Sequence, residues 1–551
     1  MTGIDHGAAQ RLDAILTRAA TTVPERAAVV FEGVTWTYGE VYDRARRLAG
    51  ALANLGVSKG DRVALWTTNR AEFLEVFFAV PMLGAIVAPL DYWWNWDEAR
   101  MALQQLEPQV LIVGAAQATT VANAIREAGA VAGGSTSEVL QPDRPAGAIE
   151  ILGLGMGIRH VYTLDAPPAG SGFGPYAALI GDATPLPQPT PVAASDPALI
   201  LFTSGSTGRS KGAVHTHGGL STTALTMVLE LELQDGERTL HFLPLFSSCL
   251  EHLLPLTMAR ATHVVMSHFD APAVWDVVRN ASVTHFDAVP TTLRRLLDSA
   301  PASADIPPTL RMISYASERM PDPLIQALIA RMPSVQFVQF YGMIEHLCLT
   351  VLGATDQLRK IGTVGRPMFG AQLRIRQSPD QTAGADDSSV GEIYASSPTL
   401  FAGYWRDDAA TAMVVQDHWM KTGDVGRFDA DGFLHLEGRV KEIIKTGGFT
   451  VIPTEIEGAL MAHPAVRDAA VVGVPDEEWG EAVHAFVILA PGANVSESEL
   501  KTSCREHLAS YKCPKRIHLV PELPRTGIGK IARRVVREQV MASGAHQRKE
   551  S

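Results

Sequence analysis

A stretch rich in glycine and hydroxyl side chains, residues 203–212, has the composition of a phosphate-binding loop. It follows the apolar run 198–202, so we expect a buried strand that opens into this loop. Glycine lets the backbone approach an anion, while hydroxyl groups and a lysine supply hydrogen-bond donors and positive charge. The spacing is not that of a Walker A loop, and a solvated linker would need neither the strand nor the lysine. The candidate phosphate-binding residues are Thr203, Ser204, Gly205, Ser206, Thr207, Gly208 and Lys211.

The length and composition of the chain are typical of a multidomain α/β enzyme. Its 551 residues exceed the roughly 250 to 300 at which single cores stop growing, so we expect at least two domains. Hydrophobic residues make up 46% and charged residues 19%, unlike a disordered chain. The formal net charge of −12 argues against a nucleic-acid partner or a broad anionic-membrane surface, while a local cationic site for a small anion stays compatible with it.

The cysteine pattern and the apolar segments predict a cytoplasmic protein. Its four cysteines show no close pairing of the zinc or thioredoxin kind. Residues 1–18 lack the cationic start and apolar core of a signal peptide. The apolar stretch 73–90 contains Glu75, Pro81 and Gly84, so we expect a buried helix, a turn and a strand there, and no transmembrane segment.

Hydrophobic periodicity predicts a layered, mostly parallel α/β body that would position these residues. Residues 35–55 indicate an amphipathic helix, 60–66 a turn and a strand, 73–89 a helix followed by a strand, and 110–113 a buried strand. Three tryptophans, at positions 93, 94 and 96, pack under a loop in the favoured interpretation. A ligand channel and a subunit contact, and with it a homodimer, stay open as alternatives.

Several further segments combine glycine with polar, charged or aromatic side chains. They are Tyr341-Gly-Met-Ile-Glu345, Thr422-Gly-Asp424, residues 438–457 and Pro524-Arg-Thr-Gly-Ile-Gly-Lys530. With the phosphate loop, they occur in the order found in the adenylate-forming enzymes, the superfamily of acyl-CoA synthetases, luciferases and peptide-synthetase adenylation domains. The chain resembles that family, most closely as an acyl-CoA synthetase, from about residue 30 to 531.

The resemblance implies a nucleotide site for ATP and Mg²⁺. It implies that Tyr341, beside Gly342, stacks on adenine and that Glu345 binds magnesium. An aromatic face suits a purine, and a hard carboxylate oxygen suits a magnesium ion that bridges phosphates. The resemblance also assigns Asp424 to the ribose hydroxyls and Arg439 to ribose or phosphate.

Three positions depart from the family pattern. Ser210 stands where the family usually has proline, Ser247 where many relatives have histidine, and Ile344 where threonine is usual. The threonine hydroxyl would contact the α-phosphate, and its loss costs roughly 0.5 to 1.5 kcal/mol if nothing replaces it.

The acid-binding residues implied by the resemblance lie in two segments. In the first, Phe246 and Ser247 line the acid pocket, with core packing an equal alternative for Phe246. In the second, Tyr315 and Ala316 stand where many relatives have small residues. A ring at position 315 in the pocket wall would favour short, cyclic or aromatic acids. The alternative is that Tyr315 points into the core, with its hydroxyl paired there.

The resemblance assigns the C-terminal residues to a lid that serves both steps of the reaction. It implies that Lys530 bridges the acid carboxylate and the α-phosphate during adenylation. Lys441 would be the hinge and Lys445 would face the thioester-forming site. Gly447 and Gly448 would lie where the pantetheine arm of coenzyme A passes.

The fold class implied is a multidomain combination of α/β and α+β structure. We expect an N-terminal domain over residues 1–440, with layered β-sheets, helices and a β-barrel-like subdomain. A small, mobile α+β lid would follow over residues 441–551.

The leading functional hypothesis is an ATP-dependent acid–thiol ligase. It would convert a carboxylic acid to acyl-AMP with release of pyrophosphate, and then transfer the acyl group to coenzyme A. One alternative is an acyl-AMP ligase that loads a carrier protein or uses another nucleophile. A second, motivated by Ser210, Ser247 and Ile344, is a degenerate nucleotide-binding protein without turnover. The sequence does not identify the acid.

Overall fold

The computed structural model describes residues 10–131, 156–203, 210–247, 250–377, 389–447, 449–476, 478–525 and 531–547. The chain divides into two compact units. The first consists of Met1–Ile361, Gly365–Gln372 and Ser396–His418, and the second of Gly362–Val364, Leu373–Ala395 and Trp419–Ser551. No helix in the described ranges has the length and hydropathy that membrane spanning requires.

The strands are β1 (Ala27–Phe31), β2 (Val34–Thr37), β3 (Arg62–Trp66), β4 (Ile86–Pro89), β5 (Val110–Val113), β6 (His160–Thr163), β7 (Gly174–Pro175), β8 (Pro197–Thr203), β9 (Lys211–Thr216), β10 (Arg238–His241), β11 (Thr262–Val265), β12 (His285–Ala288), β13 (Met312–Tyr315), β14 (Gln336–Tyr341), β15 (Thr350–Leu352), β16 (Arg366–Pro367), β17 (Gln372–Arg376), β18 (Gly391–Ser396), β19 (Gly403–Tyr404), β20 (Val415–Gln416), β21 (Trp419–Phe428), β22 (Leu434–Arg439), β23 (Ile444–Thr446), β24 (Phe449–Val451), β25 (Val466–Asp476), β26 (Gly480–Leu489) and β27 (Arg516–Leu519).

The helices are α1 (Leu12–Thr22), α2 (Tyr38–Asn54), α3 (Glu72–Met82), α4 (Trp96–Leu106), α5 (Ala115–Val131), α6 (Tyr176–Gly181), α7 (His217–Glu230), α8 (Leu250–Met258), α9 (Ala271–Asn280), α10 (Pro290–Asp298), α11 (Asp322–Arg331), α12 (Asp408–Val414), α13 (Pro453–Met461), α14 (Glu497–His507) and α15 (Arg533–Gln547). Short 3-10 helices lie at Ser303–Asp305, Ala354–Asp356 and Ser510–Lys512.

The first unit contains two large sheets with helices packed on them. The order of one is β16-β15-β14-β13-β12-β10-β11-β1-β2, and that of the other is β19-β9-β8-β4-β3-β5-β6-β7. Strands β10 to β14 pair in parallel, as do β3 to β6. This arrangement agrees with the predicted parallel, layered body.

Helix α2 shows why the sequence pattern predicts this body well. Thr37 caps the helix, since its hydroxyl accepts from the Glu40 N–H while the Glu40 carboxylate accepts from the Thr37 N–H. The apolar residues at helical spacing, Val41, Ala45 and Leu48, are fully buried in the core. A capped amphipathic helix of this kind covers one face of a sheet and leaves its polar side in solvent.

The second unit contains two smaller sheets. In one, β18 and β22 flank β21 with antiparallel pairing. The other has the order β24-β23-β26-β25, with β27 parallel to β26. Helices α13 and α14 pack with the second sheet in an apolar core that includes Ile456, Val471 and Leu500. The predicted fold class is confirmed by these elements, while the predicted division at residue 440 and the hinge at Lys441 stay predictions.

Candidate active site

The candidate phosphate loop joins two antiparallel strands. Strands β8 and β9 pair antiparallel, and Thr203 lies opposite Lys211 at the end of the ladder. A side chain at Gly212 would approach the Ile200 side chain to 2.8 Å, so the strand needs glycine there. The predicted strand before the loop is thus observed as β8. The loop residues Ser204, Gly205, Ser206, Thr207 and Gly208 lie outside the described residues.

Tyr404 connects the hairpin lysine with the carboxylate that the sequence assigns to magnesium. The two-residue strand β19 pairs antiparallel with β9 and places Tyr404 opposite Ala213. Lys211 Nζ lies 4.8 Å from the centroid of the Tyr404 ring. The hydroxyl of Tyr404 donates a hydrogen bond to Glu345 Oε1 at 2.6 Å. Burial and the neighbouring Glu345 carboxylate raise the pKa of Tyr404 above its usual value, so the phenol keeps its proton.

Sequence reasoning misses Tyr404. Its strand has only two residues, Gly403 and Tyr404, and no periodicity can reveal an element so short. The available signal was the aromatic run Phe401-Ala-Gly-Tyr-Trp405, in which a glycine separates bulky side chains. Its partner Glu345 lies far away in the sequence.

The turn after β14 fixes the backbone of the Tyr341–Glu345 segment. Tyr341 is mostly buried and lies opposite Thr350 of β15. A side chain at Gly342 would come within 1.7 Å of the Leu347 carbonyl oxygen, so only glycine fits this turn. The Phe401 N–H donates to the Glu345 carbonyl oxygen at 2.8 Å. Both the main chain and the carboxylate of Glu345 are therefore held in place.

Ile344, the departure from the usual threonine, packs against the core of the first unit. His215, fully buried in β9, hydrogen-bonds the Ile344 backbone. Burial nevertheless lowers the pKa of His215 to about 4, so its imidazole is neutral at physiological pH. The residue at position 344 thus has a packing role in addition to any contact with a substrate.

The first acid-pocket segment lies in an aromatic cluster. The Phe246 ring is half-buried and meets Tyr92 edge to face at 5.3 Å and Trp93 at 5.9 Å. The Trp93 side chain is 46% exposed, and the Ser247 hydroxyl donates to the Pro244 carbonyl oxygen. Phe246 therefore belongs to a partly open aromatic surface, whereas Trp94 packs against the core.

The second acid-pocket segment differs from the compact-pocket expectation. The Tyr315 ring is only 1% exposed and lies in the core cluster with Phe286 and Phe337. Its hydroxyl contacts the side-chain oxygens of Gln357 at 2.7 Å and Gln339 at 3.2 Å. This is the alternative in which the ring points into the core, so Tyr315 gives no support for a compact pocket. Ala316 is only partly buried, just beyond β13.

In the second unit, the two candidate ribose-binding residues face each other across neighbouring strands. Asp424 of β21 lies opposite Arg439 of β22, with Arg439 Nε 3.1 Å from Asp424 Oδ1. The Asp424 side chain is 9% exposed and that of Arg439 is 61% exposed. The Asp424 N–H donates to the Thr422 hydroxyl at 3.1 Å, which fixes the turn before the carboxylate. Lys441 follows β22 in an exposed turn.

The segment assigned to coenzyme A lies against a tryptophan. Gly447 has a φ of +56°, and a side chain there would approach the Trp479 ring to 2.8 Å. The Gly447 N–H donates to the Trp479 carbonyl oxygen at 2.8 Å, and the Lys445 N–H donates to Glu481 Oε2 at 2.9 Å. Backbone conformation and space both select glycine at position 447. Gly448 and Lys530 lie outside the described residues.

These donor sets fit ATP and magnesium. Within the described ranges, no three His, Cys, Asp or Glu side chains form a group that could hold a metal. In nucleotide enzymes, Mg²⁺ is coordinated by one or two carboxylates together with substrate phosphates. Glu345 offers a hard oxygen ligand close to the lysine of the phosphate loop.

Comparison with known proteins identifies the family. The chain matches the AMP-binding enzyme family over residues 16–405 and the C-terminal domain of AMP-binding enzymes over residues 455–530. It is 34% identical to a feruloyl-CoA synthase of Amycolatopsis over 95% of this chain and 97% of that protein. It is 31% identical to a long-chain-fatty-acid–CoA ligase of Mycobacterium tuberculosis over 96% and 98% of the two chains.

The three-dimensional structure gives the same result. ATP-bound MatB from Rhodopseudomonas palustris superimposes with a TM-score of 0.83 at 27% identity, over 96% of this chain and 99% of that one. The predicted superfamily, fold class and enzyme class are confirmed by these matches. The chain belongs to the AMP-binding enzyme family, as an ATP-dependent acid–thiol ligase of the acyl-CoA synthetase type.

Proposed function

We propose that this enzyme activates an aromatic carboxylic acid as its acyl-AMP and transfers the acyl group to coenzyme A. The observation that carries the proposal is the contact series Lys211–Tyr404–Glu345 at the base of the phosphate loop. The partly open rings of Tyr92, Trp93 and Phe246 support an aromatic acid. The similarity to a feruloyl-CoA synthase along nearly the whole chain agrees with this choice.

In the first step, attack of a carboxylate on ATP brings like charges together. The positive charge of Lys211 and the hydroxyl groups of the phosphate loop offset this repulsion. Glu345, oriented by the Tyr404 hydroxyl, would hold Mg²⁺, which when bound neutralises phosphate charge. The carboxylate oxygen of the acid forms a bond to the α-phosphorus, and the bond to pyrophosphate breaks.

Four residues would contact the adenosine portion of ATP. We propose that Tyr341 stacks on adenine and that Gly342 lets the backbone pass close to it. Asp424 would accept hydrogen bonds from the ribose hydroxyls, a role that suits a carboxylate. Arg439 holds the Asp424 carboxylate at 3.1 Å and is exposed enough to reach ribose or phosphate as well.

The second step needs a different set of residues. We propose that Lys530 acts only in adenylation and that rotation about Lys441 then exchanges it for the segment around Lys445. Gly447 lies close to the Trp479 ring. Because Gly447 and Gly448 have no side chains, they would leave room for the pantetheine arm to pass. The coenzyme A thiolate would attack the acyl carbonyl carbon, and AMP would leave.

The acceptor, the assembly and the location are parts of the same proposal. Coenzyme A is the acceptor that the CoA-ligase relatives support, and a carrier-protein thiol is the outcome that an acceptor assay must separate from it. A contact in a homodimer is the alternative use of the exposed Trp93 ring. Cysteine spacing supports a cytoplasmic location.

Pyrophosphate release with a panel of acids tests the proposal. The parent enzyme is incubated with Mg-ATP and benzoate, cinnamate, hydroxylated cinnamates or fatty acids, with and without coenzyme A. We expect aromatic acids to give pyrophosphate and, with coenzyme A, a thioester. Lys211→Ala should abolish release, whereas Lys59→Ala, which removes a surface ion pair with Asp196, should not. Nucleotide binding without pyrophosphate release from any acid would refute the proposal, and release without thioester would refute coenzyme A as the acceptor.

A further inference from the structure

A buried ion pair lies just after Lys530 in the chain. Glu457 on α13 is 5% exposed. Arg533 Nη2 donates to Glu457 Oε2 at 2.8 Å and to Oε1 at 3.0 Å, and Arg533 Nε donates to Oε1 at 3.3 Å. Arg533 opens α15, three residues beyond Lys530. A carboxylate this deeply buried needs a partner of opposite charge, so the pair holds the start of α15 in place.

The same guanidinium group also contacts a third segment. Arg533 Nη1 lies 3.4 Å from Glu442 Oε2. Glu442 directly follows Lys441, and its N–H donates to the Arg439 carbonyl oxygen at 2.9 Å. A guanidinium group is planar and presents its N–H donors in a fixed fork. Two carboxylates from different segments therefore determine both the position and the orientation of Arg533.

The Glu457 carboxylate is in turn held by the sheet beneath α13. The Val471 N–H of β25 donates to Glu457 Oε1 at 2.8 Å. Val471 lies in the same apolar core cluster as Ile456, the neighbour of Glu457 on α13. The partner of Arg533 thus belongs to the packed core of the second unit, where a hydrogen-bonded charge has little freedom to move.

The chain before Lys530 is anchored in a similar way. The Arg525 guanidinium donates to Asp468 Oδ2 on β25. Arg525 also forms an isolated antiparallel bridge with Ile531, the residue after Lys530. An arginine on each side of the lysine is therefore paired with an acidic residue of the second unit. Of the two, Arg533 is the one whose carboxylate partner is buried.

We propose that Arg533 is a positioning residue for Lys530, because its bonds to Glu457 and Glu442 fix the chain three residues beyond the lysine. The inference rests on the proposed function, in which Lys530 acts in acyl-AMP formation and not in thioester formation. Misplacement of a catalytic group by about 1 Å can slow a reaction by on the order of 100-fold. Loss of the Arg533 contacts should therefore impair the first half-reaction selectively.

The test measures the two half-reactions separately in Arg533→Gln. Acyl-AMP formation is followed as pyrophosphate release without coenzyme A, using the acid of the panel that the parent enzyme activates fastest. Thioester formation is followed from the synthetic acyl-AMP of that acid and coenzyme A. We expect kcat for acyl-AMP formation to fall by on the order of 100-fold, with KM for ATP near the parent value. Thioester formation should stay near the parent rate.

Arg534→Gln is the matched control, because it removes the same charge one residue further along the chain. The Arg534 side chain is 74% exposed and pairs with Glu538 one turn later on α15. This variant should leave both half-reactions at the parent rate. Arg533→Lys keeps the positive charge and loses the fork that reaches two carboxylates, so it should give an intermediate rate of acyl-AMP formation.

A double variant separates positioning from a general effect on the fold. If Arg533 acts through Lys530, the variant with both Lys530→Ala and Arg533→Gln should form acyl-AMP no more slowly than Lys530→Ala alone. Groups that act as a unit are strongly non-additive, whereas independent losses multiply. The assay uses enough enzyme to keep the Lys530→Ala rate above background. Multiplied losses would refute the positioning role.

The outcomes separate this inference from the function on which it rests. Equal loss of both half-reactions in Arg533→Gln, or a normal rate of acyl-AMP formation, would refute the role of Arg533 and leave the ligase function standing. If the parent enzyme forms no acyl-AMP from any acid, both proposals fail. If Arg533→Gln does not fold because the buried Glu457 charge is left unpaired, Arg533→Lys decides, since a selective loss of acyl-AMP formation supports the role and an equal loss of both steps refutes it.

Discussion

Replacement of Tyr404 by phenylalanine should impair the use of Mg-ATP without disturbing the fold. The change removes only the hydroxyl, which donates to Glu345 Oε1 at 2.6 Å. The ring stays, and with it the contact with Lys211 Nζ at 4.8 Å from the centroid. Glu345 then loses a side-chain hydrogen bond that orients its carboxylate.

The size of the effect follows from the type of bond. A hydrogen bond from a neutral donor to a charged carboxylate contributes about 1.5 to 3 kcal/mol. At about 1.4 kcal/mol per tenfold change, kcat/KM for Mg-ATP should fall by roughly 10- to 150-fold. The dependence on Mg²⁺ concentration should shift to higher concentration, because carboxylate orientation governs the affinity for the ion.

The assay is pyrophosphate release measured over a range of Mg²⁺ concentrations at fixed ATP and acid. Tyr176→Phe is the matched control, because the Tyr176 hydroxyl donates to the buried Glu75 carboxylate at 2.7 Å. The fully buried Glu75 is paired with the partly exposed Arg44 and belongs to no candidate site. The control should lower the melting temperature and leave the Mg²⁺ dependence as in the parent. A normal Mg²⁺ profile in Tyr404→Phe, or equal shifts in both variants, would refute the positioning role of Tyr404.

Three further substitutions and one pH dependence test other residues. Ile344→Thr should raise the adenylation rate if the restored hydroxyl reaches the α-phosphate. The increase should correspond to one hydrogen bond of roughly 0.5 to 1.5 kcal/mol. Loss of pyrophosphate release in this variant would instead mark Ile344 as an adaptation of this site. Tyr315→Phe should reduce the free energy of unfolding by about 1 to 3 kcal/mol, because Gln357 loses its partner. A change in acid preference without loss of stability would return Tyr315 to the pocket wall. Lys530→Ala should suppress acyl-AMP formation and spare thioester formation from supplied acyl-AMP, and equal loss of both half-reactions would contradict its assignment. Burial lowers the pKa of His215 to about 4 from its ordinary 6.5. The neutral buried imidazole therefore contributes fully to the free energy of unfolding above pH 6.5. As the pH falls from 6.5 toward 4, the free energy of unfolding should decrease by up to about 1.4 kcal/mol per pH unit. Guanidinium unfolding midpoints across that range should decrease, and a flat profile would argue against a buried neutral imidazole.

The sequence predicts the scaffold well wherever local pattern and tertiary packing agree. The strand before the phosphate loop, the amphipathic helix α2 and the α+β structure of the C-terminal region are all observed. In each case, hydrophobic spacing that is visible in a short window is the same spacing that buries the element. The fold class followed from those elements together with the resemblance.

Side-chain direction was harder to predict than the presence of an element. Tyr315 ends β13, an interior strand paired with parallel neighbours on both sides. Strands of this kind are buried on both faces, so apolar residues do not alternate with polar ones and the pattern does not tell which face a ring occupies. The two glutamine oxygens that pair with the Tyr315 hydroxyl come from β14 and from beyond β15, which a local window cannot include.

The grouping of the chain into compact units depends on contacts between segments that are distant in the sequence. Residues Leu373–Ala395 join the second unit although they precede Ser396–His418 of the first. The predicted division at residue 440 stays a prediction, while each compact unit of the structure consists of separate segments. The cause is strand pairing, since β18 contributes to the same sheet as β21 and β22.

Tyr404 contacts both the lysine that we propose for phosphate and the carboxylate that we propose for magnesium. Lys211 and Tyr404 belong to paired strands, and the Tyr404 hydroxyl reaches the Glu345 carboxylate. The Phe401 N–H, on the same segment as Tyr404, holds the Glu345 main chain. A displacement of the β8–β9 hairpin when phosphate binds would therefore move β19 and, through two hydrogen bonds, Glu345. Glu345 is the carboxylate that we propose for the ion, and these two hydrogen bonds hold it in place. We therefore expect the binding of ATP to increase the affinity for Mg²⁺, and the binding of Mg²⁺ to increase the affinity for ATP.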